Sequence, residues 1–69
     1  MTPYGNAEGS SIRAYRITDE GIDILFKNGQ VYSYTEGYND DVVIGIMREL
    51  AQSGSGLNSF INREKPVFS

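Results

Sequence analysis

Few side chains in this sequence can do chemistry, and the missing ones exclude whole classes of function. There is no cysteine and no histidine. A thiol nucleophile, a thiolate metal site, a disulfide scaffold, a Ser-His-Asp triad and a zinc hydrolase are therefore ruled out within one chain. The remaining acid–base capacity lies in carboxylates. Asp40-Asp41 and Asp19-Glu20 are adjacent pairs. Adjacent side chains diverge and rarely share a proton, so capping and solubility account for both. A divalent cation needs more oxygens converging from one loop. No constellation supports catalysis, and the expectation is a non-enzymatic chain without metal or cofactor.

Three groupings are left that are able to bind. Tyr32 and Tyr34 alternate along one strand, with Arg16 and Lys27 placed beside them by the expected pairing. Aromatic rings on a sheet can stack bases while neighbouring cations meet phosphates; tyrosines also pack well on any pleated surface. Ser53-Gly54-Ser55-Gly56-Leu57-Asn58 is a glycine-rich turn opening a helix. Its N–H groups are suited to an anion, although the lysine and spacing of a P-loop are lacking. Ser53 and Asn58 are its candidate ligand contacts, with a plain helix-to-helix turn as the alternative. Arg63 and Lys65, with Arg48 from the preceding helix, form a possible basic corner or an ordinary solvated surface.

The elements that position these residues follow from turn chemistry and periodicity. Residues 1–11 show no periodicity and read as a mobile N-terminal arm. Ile12–Ile17 and Ile22–Lys27 read as strands joined at Thr18-Asp19-Glu20-Gly21, with Gly21 free to take φ > 0. Asn28-Gly29 between two β runs predicts a two-residue type I′ hairpin into Gln30–Thr35. In that register Phe26 faces Val31, Leu25 faces Tyr32 and Asp23 faces Tyr34. One face then carries Tyr15, Ile17, Ile22, Ile24, Phe26 and Val31. The other carries Ile12, Ala14, Arg16, Asp23, Leu25, Lys27, Tyr32 and Tyr34.

Asn39 is the expected N-cap of a helix with Val42, Val43, Ile46, Met47, Leu50 and Ala51 as its apolar stripe. Gly45 lies inside it, with close packing on the sheet as one reason, and Gly54 is its stop. Leu57, Phe60 and Ile61 face inward from a short second helix ended by Pro66, and Val67-Phe68 pack back as an extended tail. The predicted class is α+β: a three-stranded antiparallel sheet with one main helix on one face and a short C-terminal helix, as a single domain over residues 12–69.

Ile22, Ile24, Phe26, Gly29, Tyr32 and Tyr34, followed by Ser53, Gly54, Leu57, Asn58 and Ile61, resemble the pattern of the KTSC family. These are small domains named after a C-terminal extension of some lysyl-tRNA synthetases. The resemblance covers about residues 12–66. It departs at Gly37-Tyr38-Asn39, where the family usually has Val-Pro, at Leu57, where it usually has Phe, and at Ser55-Gly56, where it tends to carry a basic residue. The resemblance implies this β-β-β-α-α fold and a link to RNA or nucleotide metabolism.

The chain has 69 residues, 39% of them hydrophobic, and a formal net charge of -3 from six basic and nine acidic side chains. Folding such a chain buries about 60% of its surface, enough for one thin core. The acidic balance disfavours long nucleic acid, which demands many cations. No apolar run spans a membrane and no signal segment opens the sequence, so a cytoplasmic location is expected. The leading expectation is a binding module for a nucleotide-like ligand, either a signalling nucleotide or a short single strand, using Tyr32, Tyr34, Arg16, Lys27, Ser53, Asn58 and Arg63. The alternative is a protein-binding adaptor or inhibitor, of the counter-defence type carried by phages and mobile elements, using the same open sheet face. Exposed Ile12, Leu25 and the two tyrosines lead to an expected homo-oligomer.

Overall fold

A computed structural model describes residues 1–69. The elements are β1 (Thr2–Pro3), a 3-10 turn at Ala7–Gly9, β2 (Ile12–Ile17), β3 (Gly21–Phe26), β4 (Val31–Thr35), α1 (Asp41–Ser53) and α2 (Leu57–Glu64). The α+β class holds, but the antiparallel sheet has four strands, in the order β1-β2-β3-β4.

The extra strand comes from the segment expected to be a free arm. Thr2 pairs with Tyr15 and Pro3 with Ala14. The cause is Tyr4, which is 3% exposed. Its ring enters the core, and its hydroxyl accepts a hydrogen bond from the Leu57 N–H at 3.1 Å. The first N–H groups of a helix have no partner within it, so the phenol satisfies one donor of α2 while its ring gains burial.

The β2–β3 hairpin closes in the expected register, with Ile17 opposite Ile22, Arg16 opposite Asp23, Tyr15 opposite Ile24 and Ala14 opposite Leu25. A bulge between Ile12 and Ala14 then sets Ile12 opposite Phe26. This turns Ile12 onto the helix side, where it is fully buried. Gly21 is not in the left-handed region that the sequence suggested. Its requirement is steric: a Cβ there would lie 1.9 Å from the Tyr34 carbonyl oxygen.

The second hairpin departs from expectation. Ile22 faces Tyr34, Asp23 faces Ser33, Ile24 faces Tyr32 and Leu25 faces Val31. The Phe26 N–H donates to the Gln30 carbonyl at 2.9 Å, and the Gly29 N–H to the Phe26 carbonyl at 2.9 Å. Only Gly29 of the loop takes positive φ, at 90°. The loop is thus Lys27-Asn28-Gly29, a three-residue turn with a glycine bulge, and not the two-residue type I′ form. Shifting the register by one residue exchanges the faces of β4. Tyr32 and Tyr34 join Ile22 and Ile24 beneath the helices, and Val31 points away. Burying two phenol rings in place of Val31 and Ser33 favours the observed loop, since a buried ring is worth roughly 1.5–3 kcal/mol.

Asp40, not Asn39, caps α1; its carboxylate accepts from the Val42 N–H at 3.1 Å. The buried stripe of α1 is Ile44, Met47 and Ala51, with Val43 and Leu50 packed beside it. Val42 and Ile46, expected inward, are 64% and 37% exposed. Gly54 ends α1 in the left-handed conformation, as expected, at φ 78°. It also lies against Gly5 of the arm, whose Cβ would sit 3.2 Å from the Gly54 Cα. In α2, Leu57 and Phe60 are buried as expected. Nothing lies within 4 Å of a Cβ built at Gly45, so packing on the sheet does not explain this glycine.

Two substitutions test these assignments by thermal melting. Gly21→Ala is expected to cost about 3 kcal/mol or more, because backbone must yield to the new Cβ. Gly45→Ala is expected to stabilise by about 1 kcal/mol. In a domain this small, that is a rise in Tm of about 4–8 °C.

Candidate functional site

The residues expected to form one ligand-binding face do not share a surface. Tyr34 is 1% exposed and belongs to the core. Tyr32 packs at the core margin, stacked on Phe68 with ring centroids 4.2 Å apart and tilted against Phe26 at 5.1 Å. Arg16 lies on the opposite side of the sheet, which no helix covers. The one-residue shift of β4 is the reason. The patch expected to drive self-association is dispersed with it, since Ile12 and Tyr34 are both internal.

On the open face, Arg16, Asp23 and Ser33 align across three strands. Arg16 Nη2 and Nε donate to Asp23 Oδ2 at 2.8 and 3.2 Å, and Ser33 Oγ donates to Asp23 Oδ1 at 2.8 Å. Partial burial pushes the Asp23 carboxyl up, but the hydrogen bonds and charge of Arg16 and the hydroxyl of Ser33 outweigh it and hold it below its ordinary value. Beside this row lies an open depression of about 470 Å³, lined by Thr18, Asp19, Glu20, Asp23, Ser33, Thr35 and Ser69. Its lining has three carboxylates and no cation, the wrong sign for a phosphate. No group of three or more His, Cys, Asp or Glu side chains converges as metal ligands do.

The other expected contacts serve the chain itself. Ser53 Oγ donates to the Leu50 carbonyl at 2.9 Å. Asn58 Oδ1 accepts from Ser11 Oγ at 2.9 Å, latching α2 to the arm. With the Leu57 N–H taken by Tyr4, the glycine-rich turn works as a junction between helices. Arg63 pairs with Glu64 at 3.1 Å and lies over the Phe60 ring at 5.6 Å. Arg48 reaches the other way, donating to the Thr18 carbonyl at 3.0 Å, so no basic corner forms. Lys27 is exposed on the hairpin loop, apart from the rest.

One surface lies outside the sequence expectations, and a second extends the expected packing of Val67-Phe68. The first is the outer side of α1, where Val42 and Ile46 are exposed one turn apart beside Gly45, with exposed Tyr38 in the turn that precedes the helix. Asp40, Asp41 and Glu49 border it, and none of them forms an ion pair. The second is the seat of the tail. Asn39 Nδ2 donates to the Val67 carbonyl at 2.7 Å and Asn39 Oδ1 accepts from the Val67 N–H at 2.8 Å. Ser33 and Ser69 exchange backbone hydrogen bonds of 3.1 and 3.0 Å. Asn39 looked like a cap in the sequence because Asn and Asp share that role, and its neighbour Asp40 takes it.

Compared with protein-family models, curated proteins and solved structures, the chain matches none. The KTSC resemblance rests on the motif residues alone. Ile22, Ile24, Tyr34 and Leu57 of that motif are buried in the core. No helix is long and apolar enough to cross a membrane.

Asp23 and Tyr34, on opposite sides of the sheet, make stability depend on pH, and Asp40, lowered by the bond from the Val42 N–H, adds to the acid side. Asp23, with a lowered folded pKa, contributes stability above its unfolded value of 3.8 and loses it as pH falls through the folded value. Burial first, and the neighbouring Tyr32 second, push the Tyr34 phenol up to about 12. Its contribution is intact below 10.0 and is lost as pH rises towards 12. Urea midpoints measured across pH are expected to fall at both ends. Asp23→Asn should flatten the acid limb and Tyr34→Phe the alkaline limb; a limb unchanged by its substitution would contradict the assignment.

Proposed function

We propose that this chain is a non-catalytic protein-binding module that docks a basic, apolar segment, helical by preference, on the outer side of α1. One observation carries the reading: Gly45, half-buried, lies between exposed Val42 and Ile46, with no contact inside the chain that requires a glycine. A glycine there costs helix stability and leaves a shallow notch into which another backbone can settle. Tyr38 adds an exposed aromatic ring at one end. Unpaired Asp40, Asp41 and Glu49 around the notch, on a chain of net charge -3, favour a partner bearing lysine or arginine at its rim. The nucleotide reading is the weaker one, because Arg16 lies across the sheet from Tyr32 and Tyr34, Lys27 stands apart on the hairpin loop and Arg63 pairs with Glu64.

A synthetic amphipathic helix with one leucine face and one lysine face is a direct probe. In an NMR titration it is expected to shift the amides of Tyr38, Val42, Gly45, Ile46 and Glu49 and to leave those of Arg16 and Lys27 in place. Gly45→Leu keeps every charge but fills the notch, and should weaken binding about tenfold or more. Shifts at Arg16, Lys27 and Tyr32 on adding a nucleotide panel, with no response to the peptide, would overturn the reading.

A further inference from the structure

We propose that the outer edge of β4, with the Asn39 amide and the Tyr32 ring, is a strand-addition site for an extended peptide carrying an aromatic residue, and that Val67-Phe68-Ser69 occupies it in cis. The bound state of such a peptide is already on display. Ser33 and Ser69 exchange both backbone hydrogen bonds, at 3.1 and 3.0 Å, the pattern of one antiparallel pair. The Asn39 amide acts as a second peptide group, donating to Val67 at 2.7 Å and accepting from it at 2.8 Å. These four bonds go to backbone and are indifferent to side-chain identity. Selectivity comes from one side chain: Phe68 stacks on Tyr32 at 4.2 Å with planes 10° apart and meets the edge of Tyr34 at 5.9 Å. Main-chain pairing for affinity and a side-chain seat for specificity is how exposed sheet edges take up foreign strands.

The resident segment is lightly held. Val67 is 52% and Phe68 51% exposed, and the pairing extends over one residue of β4. The segment joins α2 through Lys65, the one non-glycine residue with positive φ (49°), directly before Pro66. Lys65 is the C-cap of α2, its N–H donating to the Ile61 carbonyl at 2.8 Å, so the helix ends here and the tail is connected to it only through this residue and Pro66. The tail is thus a tethered competitor that a stronger segment displaces. The inference uses different residues from the notch on α1 and stands without it.

The test uses the full chain and a fluorescein-labelled peptide of sequence KPVFS, the tail's own residues 65–69. Fluorescence anisotropy is expected to show weak binding to the unmodified protein. Phe68→Ala, which empties the aromatic seat, should bind at least about tenfold tighter. A peptide with alanine for its phenylalanine should bind neither protein. Adding Asn39→Ala to Phe68→Ala should abolish the gain, whereas adding Gly45→Leu should not alter it. If Asn39→Ala fails to fold, as judged by amide exchange at Ile44 and Met47, Ser33→Pro gives the same readout by removing the outward N–H. No gain for Phe68→Ala, or equal affinity for the two peptides, overturns the site.

Discussion

The burial of Tyr34 against Ile22 and the helices is the contact on which the rest of the molecule depends. It can form only if β4 meets β3 with an odd number of residues in the connecting loop. A glycine at position 29 makes that loop accessible, since the bulge demands positive φ there and the observed value is 90°. Once Tyr34 is inside, Tyr32 lies at the core margin, and the Asp23–Ser33 pairing completes the polar row on the open face. Phe68 then finds a ring on which to stack. A single conformational choice in one loop thus distributes aromatic, charged and hydroxyl groups between two sides of a thin sheet.

Much of this arrangement is legible in the sequence where local chemistry is unambiguous. The β2–β3 register, the α1 stop at Gly54 and the inward face of α2 follow from turn residues and helical spacing. The second hairpin departs from the sequence expectation because Asn-Gly favours a two-residue turn, and that local preference loses to the packing of Tyr34 in the core and Tyr32 at its margin. A better signal was present. Ile22, Ile24, Phe26, Tyr32 and Tyr34 all occupy even-numbered positions, and such a set shares one face only across an odd loop. The bulge at Arg13 and the burial of Tyr4 had no comparable local signal. Both depend on what the distant helices offer, which periodicity does not encode.

The same limit explains the candidate site. Ser53, Asn58, Arg48 and Arg63 have the chemical capacity to bind a ligand, and each one uses it within the chain. In a domain with little core, polar side chains are needed as fasteners between elements. A sequence shows that a donor or acceptor exists, but not whether a partner has already taken it. Gly45 and Asn39 differ from expectation for the opposite reason. Their surroundings are not encoded locally: empty space around one, and a peptide group held by the other.

The contact between the Tyr4 hydroxyl and the Leu57 N–H spans 53 positions of the chain. During synthesis from the amino end, the first strand therefore emerges long before its anchorage exists. The first strand can pair with its neighbour through Thr2, Pro3 and Tyr4, but the phenol finds its partner only after the second helix has left the ribosome. A nascent chain stalled before Leu57 would hold that edge by its strand pairing alone.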